Sequence, residues 1–296
     1  MNYLKDYREG EKFVGTYLCK QKQILKTKAG KTYYSLTLQD KTGTADGKIW
    51  ELNNGIANFE PMDYIHCEGM VTSFQGNLQM NISRVRISDE GEYDPADYVP
   101  CTNKDVGEMF SRILKYVASV QNKYLRKILE MYFVENKEFV DAFKKHSAAK
   151  SVHHGFMGGL LEHTLSVTDM CQYFAEHYPM IHRDLLITAA LFHDMGKIQE
   201  ISDFPMNDYT DDGQLLGHIY IGARCMENAA AQIPNFPPKL KNELVHCILA
   251  HHGKMEFGSP KVPAIMEAMA LHMADNADAK LQTLTEVFTQ AGDNMG

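Results

Sequence analysis

Apolar and polar positions follow two different periods along this chain. Over residues 12–88 they alternate. Thr32-Tyr33-Tyr34-Ser35-Leu36-Thr37-Leu38 puts Tyr34, Leu36 and Leu38 on one face, and the run from Leu78 to Ile87 does the same with Leu78, Met80 and Ile82. Turn residues separate such runs at Ala29-Gly30-Lys31, Asp40-Lys41-Thr42-Gly43 and Gln75-Gly76-Asn77. Several short strands in so short a span predict a small closed or nearly closed barrel. If Tyr34, Leu36 and Leu38 face its core, Tyr33 faces outward with Ser35 and Thr37. If Ile49 is core, Lys48 and Trp50 point to the opposite face.

From Thr102 the spacing becomes helical. Val106, Met109, Phe110, Ile113, Leu114 and Val117 form one stripe, and similar stripes follow at 160–176, 185–195, 239–251 and 262–282. Gly91 to Pro100 carries two prolines and no stripe, which marks a linker. The fold expected is therefore multidomain, β then α. A small barrel occupies residues 1–90, a linker residues 91–101, and an all-α bundle residues 102–296.

Composition narrows the class. With 44% hydrophobic and 23% charged residues, the balance is that of a soluble globular protein. No apolar run approaches the length of a membrane span, and the first residues lack a signal-peptide core. The six cysteines contain no CxxC pair, which fits reduced thiols in a cytoplasmic protein. The net charge of -8 is uneven: residues 1–90 carry 12 basic and 11 acidic side chains, the remainder 18 and 27. Between Lys12 and Gln39 there are six lysines and no acid. An acidic body with a locally basic stretch is compatible with a polyanion-binding module joined to a metal-binding one.

Histidine and aspartate carry the chemistry. The stripe Leu185, Leu186, Ala189, Ala190 runs into the adjacent pair His193-Asp194, followed by Met195-Gly196-Lys197, where the glycine is expected to stop the helix. An imidazole next to a carboxylate that can bridge two ions is metal chemistry. His163 shares a helical face with Val167, Met170 and Phe174, so it points inward. His251 follows Leu244, Cys247 and Ile248 on another stripe, and His252 adjoins it. Asp275 lies beside Ala268, Leu271, His272 and Ala279, where a carboxylate is costly without a cation or donors. His218 follows Gly217 in an expected loop leading into a helix. Each of these alone admits a packing role; together they form a metal constellation. Lys197 is placed to stabilise charge on a phosphate, and His153 and His154 to protonate a leaving group or touch phosphate.

The order His163, His193-Asp194, Asp275 resembles the ligand signature of the HD phosphohydrolase superfamily. His218 and His251-His252 match its two-metal phosphodiesterase branch, and Gly158-Gly159-Leu160-Leu161-Glu162-His163-Thr164 and His193-Asp194-Met195-Gly196-Lys197 strengthen the match. With the strand-rich module in front, nearly the whole chain resembles the YhaM-type 3′→5′ exoribonucleases. The resemblance implies that His163, His193, Asp194 and Asp275 hold one divalent metal. It also implies that Asp194 bridges to a second, held by His218 and His251 with His252. It points to Mn²⁺, with Co²⁺, Fe²⁺, Ni²⁺ and Zn²⁺ suited to the same donors.

The front module resembles a nucleic-acid-binding OB-fold. Its expected strand-binding residues are Tyr33, Lys48, Trp50 and Phe74, with Lys26 and Lys28 in the basic stretch. The expected partner is single-stranded RNA, with single-stranded DNA as a second. Two other functions fit the same ligands. One is an HD enzyme acting on nucleotides or cyclic dinucleotides; the other is a strand-binding protein with a relic HD domain.

Overall fold

The computed structural model describes residues 2–53, 55–150 and 154–293, with side chains to residue 288. The chain divides into two compact units, Met1–Pro100 and Cys101–Gly296. No described helix is long and apolar enough to cross a membrane.

The first unit is a closed five-stranded barrel. Its strands are β1 (Lys12–Lys26), β2 (Thr32–Asp40), β3 (Gly43–Ile49), β4 (Tyr64–Phe74) and β5 (Asn77–Ile87), arranged β1-β2-β3-β5-β4. All pairings are antiparallel except the parallel contact of β3 with β5. That is the strand order of an OB-type barrel. The long first strand closes it: Lys12–Leu18 pairs with β4, and Leu18–Lys26 pairs with β2 across a bulge near Cys19 and Gln21. The alternation seen in the sequence is the inside–outside pleat, with Leu36, Leu38, Met80 and Ile82 in the core. Leu78 departs from it. It lies near the start of β5, paired with Ser73 of β4 but outside the pairing with β3, and is exposed beside the β4–β5 turn.

Buried Asp40 ties the N-terminus to the wall. Its carboxylate accepts from the backbone of Leu4 at 2.6 Å and of Thr42 at 2.7 Å. Within the stretch read as linker, Tyr93 stacks on Tyr64 with ring centroids 4.0 Å apart, and the Tyr98 carbonyl accepts from Gln39 Nε2 at 2.9 Å.

The second unit is helical: α1 (Val106–Ser119), α2 (Lys123–Glu130), α3 (Lys137–Lys145), α4 (Gly159–His177), α5 (Arg183–Phe192), α6 (Lys197–Glu200), α7 (Asp211–Ala231), α8 (Pro238–Ala250) and α9 (Met266–Asp293). Helix α5 is its axis. Every residue from Leu185 to Phe192 is buried, because α4, α8 and α9 all pack around it. Side chains of Asp105, Asn122, Asn136 and Thr210 accept from first-turn amides and start α1, α2, α3 and α7.

Gly69 is where the barrel tolerates least change. It follows a register shift against β5, and a Cβ there would lie 2.0 Å from the Asn81 carbonyl oxygen and 2.8 Å from the Phe13 ring. Gly69→Ala is expected to cost about 1–3 kcal/mol. A lower urea midpoint followed through Trp50, the single tryptophan, checks this; an unchanged midpoint would show that β4 and β5 can separate there without loss.

Candidate metal centre

The centre is assembled at the ends and faces of α4 to α9. Helix α5 delivers His193 and Asp194 one and two residues past its last turn, fully inside the bundle. The glycine of His-Asp-Met-Gly-Lys does not act as a left-handed stop: Gly196 has φ -63 and ψ -19, and α5 has already ended at Phe192. Its role is close approach. A Cβ on Gly196 would lie 2.1 Å from the His218 carbonyl oxygen, so only glycine lets α7 come this near. His218 is not in a loop before a helix but inside α7, at a break where Gly217 takes φ 71 and ψ 153. There the His218 backbone N–H and its Nδ1 both lie 2.9 Å from Glu200 Oε1.

Five imidazoles are oriented the same way. Nδ1 of His193, His251 and His252 meets the carbonyls of Ala190 (2.8 Å), Ile248 (2.6 Å) and Phe257 (2.8 Å). A carbonyl only accepts, so in each ring Nδ1 carries the proton. His163 Nδ1 donates to Asp278 at 2.7 Å, and His218 Nδ1 to Glu200. In the neutral rings all five Nε2 atoms are thereby left as lone pairs.

These lone pairs converge on two carboxylates. His163 Nε2 lies 3.2 Å from His193 Nε2, 3.3 Å from Asp194 Oδ2 and 3.2 Å from Asp275 Oδ1. His193 Nε2 is 3.5 Å from the same Asp194 oxygen. The other Asp194 oxygen, Oδ1, faces His218 Nε2 at 3.5 Å and His251 Nε2 at 3.6 Å. His252 joins the second group, whose ring nitrogens lie within 4.8 Å of one another. Atoms bound to one ion at about 2.0–2.2 Å are spaced by roughly 3.0–3.5 Å, which is this spacing. Asp194 Oδ1 and Nε2 of His218 and His251 are buried without a hydrogen-bond partner. Such groups need a cation or a donor.

The charges are strongly biased. Burial works against a proton on His163, but hydrogen bonds to Asp194, Asp275 and Asp278 outweigh it and raise its pKa. Burial pushes His193 down to about 4 against the pull of Asp194 and Asp275. Burial, then His251 and His218, hold His252 at about 4. Burial opposes ionisation of Asp194 and Asp275, yet Lys197 and the histidines hold Asp194, and His163, His193 and His251 hold Asp275, below the usual carboxylate range. A proton and a divalent ion therefore compete for one set of acceptors, and ion binding releases protons.

Lys197 places Nζ 2.7 Å from Asp194 Oδ2, and burial is outweighed by that carboxylate in keeping its pKa raised. It lines a cavity of about 490 Å³ with His163, His218, His252 and Asp275. His153 lies outside the described residues. His154, read with it as a phosphate contact, is instead buried, with Nε2 3.0 Å from Asp278 Oδ2. Asp278 and Glu200 escaped the sequence reading. Their only signals are spacings of three residues, behind Asp275 and Lys197 respectively. His272 also lines the cavity, its Nδ1 on the His251 carbonyl at 2.9 Å.

On the barrel, Tyr33 is half-buried and stacks on partly exposed Trp50 at 4.6 Å. Trp50 Nε1 donates to Asn81 Oδ1 at 3.0 Å. Lys48 is held by Ser35 Oγ at 2.8 Å and by Asp46. Phe74 is exposed at the end of β4, and Lys26 and Lys28 are exposed around the β1–β2 connection.

Known proteins are similar to this chain over most of its length. The HD domain family matches residues 160–280. The 3′-5′ exoribonuclease YhaM of Geobacillus sp. (strain WCH70) is 32% identical over 257 residues, 86% of this chain and 78% of that protein. The protein of the same name from Bacillus subtilis (strain 168) is 32% identical over 262 residues, 86% of this chain and 81% of that one. Among solved structures, the second OB-fold domain of replication protein A from Methanococcus maripaludis is similar at 20% identity and a TM-score of 0.25. It covers 31% of this chain and 98% of that one. Relatives at this identity over most of both chains, together with the HD domain, settle the lineage: the chain belongs to the family of the 3′-5′ exoribonuclease YhaM.

Proposed function

We propose that this protein is a divalent-metal-dependent 3′→5′ exoribonuclease that acts on single-stranded RNA. Single-stranded DNA is its second strand class, because stacking and phosphate contacts do not need a 2′-hydroxyl. One observation carries the metal: Nε2 atoms of five histidines and two carboxylates converge in the bundle interior, with Lys197 and a protonated His163 as the positive charges among them. His163, His193, Asp194 and Asp275 would hold one ion. His218, His251 and His252 would hold a second, with Asp194 bridging. Mixed imidazole and carboxylate donors suit Mn²⁺, the working ion proposed here, and equally Co²⁺, Fe²⁺, Ni²⁺ or Zn²⁺.

Bound ions would supply Lewis acidity to a phosphodiester and acidify a water for attack. The chain's own residues do the rest. Asp278 and Glu200 fix the tautomer and angle of His163 and His218. Lys197 holds a positive charge inside the cleft, where a pentavalent phosphate gathers negative charge. The cavity suits a strand end rather than a duplex, in keeping with exonucleolytic action.

The barrel supports the substrate reading. Tyr33, Lys48 and Trp50 lie on the β2–β3 face, Lys26 and Lys28 at the β1–β2 connection, and Phe74 at the β4–β5 turn. Those are the surfaces on which OB-type barrels bind oligonucleotides. Cys19, Cys67, Cys171, Cys225 and Cys247 are free thiols, which fits a reducing, cytoplasmic setting.

Asp194→Ala is expected to lower degradation of an end-labelled single strand in Mn²⁺ by about three orders of magnitude or more. Strand binding, read by gel shift, should persist. Retained hydrolysis would remove Asp194 from the chemistry, and cleavage confined to dinucleotides would move the enzyme to the small-nucleotide class. Asp278→Asn keeps an acceptor for His163 but loses the charge. It should weaken Mn²⁺ binding by about 10- to 100-fold in a calorimetric titration of metal-stripped protein; unaltered affinity would reduce Asp278 to a packing residue.

A further inference from the structure

Two walls of the metal cavity carry aromatic side chains that neither the metal site nor the bundle core uses. Tyr209 lies between α6 and α7, and Phe257 in the loop after α8. Each lines the cavity while remaining open to solvent, 46% for Tyr209 and 55% for Phe257. Apart from three alanines and Ile201, the other side chains of that cavity are polar or charged, and two rings this exposed are not accounted for by hydrophobic burial.

Both are held close to the metal groups by short connections. The Phe257 carbonyl accepts from His252 Nδ1 at 2.8 Å, so its loop is tied to the second histidine group. Tyr209 precedes Thr210, whose side chain caps α7, the helix that brings in His218. Tyr209 also forms a bridge to Ile201, just past Glu200. The backbone of each is therefore tied to residues that set the ligand positions.

Each ring has a lysine beside it. Lys150 Nζ lies 5.9 Å from the Tyr209 ring centroid and Lys254 Nζ 5.2 Å from that of Phe257. Each lysine is also paired with an acid, Lys150 with Asp208 at 2.6 Å and Lys254 with Glu256 at 3.3 Å. The local charge is thus largely cancelled, and what these loops offer a ligand is flat aromatic surface. Flat surface next to a phosphodiester-cleaving centre fits a nucleobase. Every base has a π-face, so such contacts tolerate any sequence.

Resting on the exonuclease reading, we infer that Tyr209 and Phe257 form a stacking subsite for the unpaired bases at the 3′ end of the strand. They seat the terminal phosphodiester over the metal groups and contribute to substrate capture without joining the bond-breaking step. A duplex end, whose bases are already stacked and paired, gains nothing from them.

The test compares two oligoribonucleotides in Mn²⁺, one ordinary and one lacking the base on its 3′-terminal nucleotide. For the unaltered protein, kcat/KM for removal of the first nucleotide should favour the ordinary end by roughly tenfold or more, mostly through KM. In the Tyr209→Ala, Phe257→Ala double variant that preference should fall towards one, and each single variant should lose part of it. Mn²⁺-induced thermal stabilisation, measured alongside, reports whether the variants keep the fold and the metal groups. An unaltered protein that degrades both ends equally overturns the subsite and leaves the exonuclease standing. A preference that survives in the variants overturns it too. Failure of the unaltered protein to degrade either strand overturns the exonuclease reading itself.

Discussion

A cluster of hydrogen-bond acceptors buried away from water is unstable unless something positive fills it, and the helical unit is organised around that constraint. His163, His193, His218, His251 and His252 each donate through Nδ1 to a carbonyl or carboxylate behind them. What faces inward is a set of lone pairs around Asp194 and Asp275. Left to itself this arrangement repels, at a cost of several kcal/mol for each unpaired buried group. Lys197 offsets part of it through Asp194 Oδ2, and a proton on His163 offsets more. Divalent cations would satisfy every member at once, which would link ion binding to the stability of this unit.

Such density also constrains the backbone. Six helices or helix ends must bring side chains within a few ångströms, and a Cβ at the wrong place would keep them apart. Gly196 passes under the His218 carbonyl, Gly159 under that of His154, and Gly213 under that of Glu200, each with room for a hydrogen and no more. Those three carbonyls belong to a candidate ligand and to two residues that bond to the ligands' supports or to the ligands themselves. The glycines are thus part of the metal geometry although none of them touches it. In the single turn of α6 the same closeness lets Lys197 reach Asp194 and Glu200 reach His218.

The candidate ligands were legible in the sequence because their residue types are improbable on apolar stripes. An inward His163 or Asp275 has to be explained, and the explanations converge. The barrel was legible from alternation, since one buried face gives a clean period of two. What alternation misses is an end effect: Leu78 keeps the rhythm of Met80 and Ile82 but lies outside the pairing of β5 with β3. Supporting residues were hidden for a different reason. Asp278 and Glu200 are ordinary acids until tertiary packing sets them 2.7 and 2.9 Å from an imidazole. Gly196 reads equally well as a helix stop or a contact point, and only the approach of α7 decides. Helix α7 itself has a broken stripe, because Gly217 turns its two halves out of register.

Charge bears on how an acidic protein handles a polyanion. Residues 91–296 carry 18 basic and 27 acidic side chains, so the long-range field of the helical unit repels a strand. Attraction must then be local. Filled metal groups would invert the sign at the cleft, and Lys197 is already inside it. At the rim, Lys150 and Lys254 are matched by Asp208 and Glu256, which leaves Tyr209 and Phe257 as the surfaces a strand end can gain from. On the proposed reading, the near-neutral barrel unit, with lysines at 26 and 28 and the Tyr33–Trp50 stack, would carry the broader contact. On the same reading, repulsion by the body, short-range capture at the cleft and stacking on the barrel would each favour an unpaired end over a duplex, because only unpaired bases expose the faces that stacking requires.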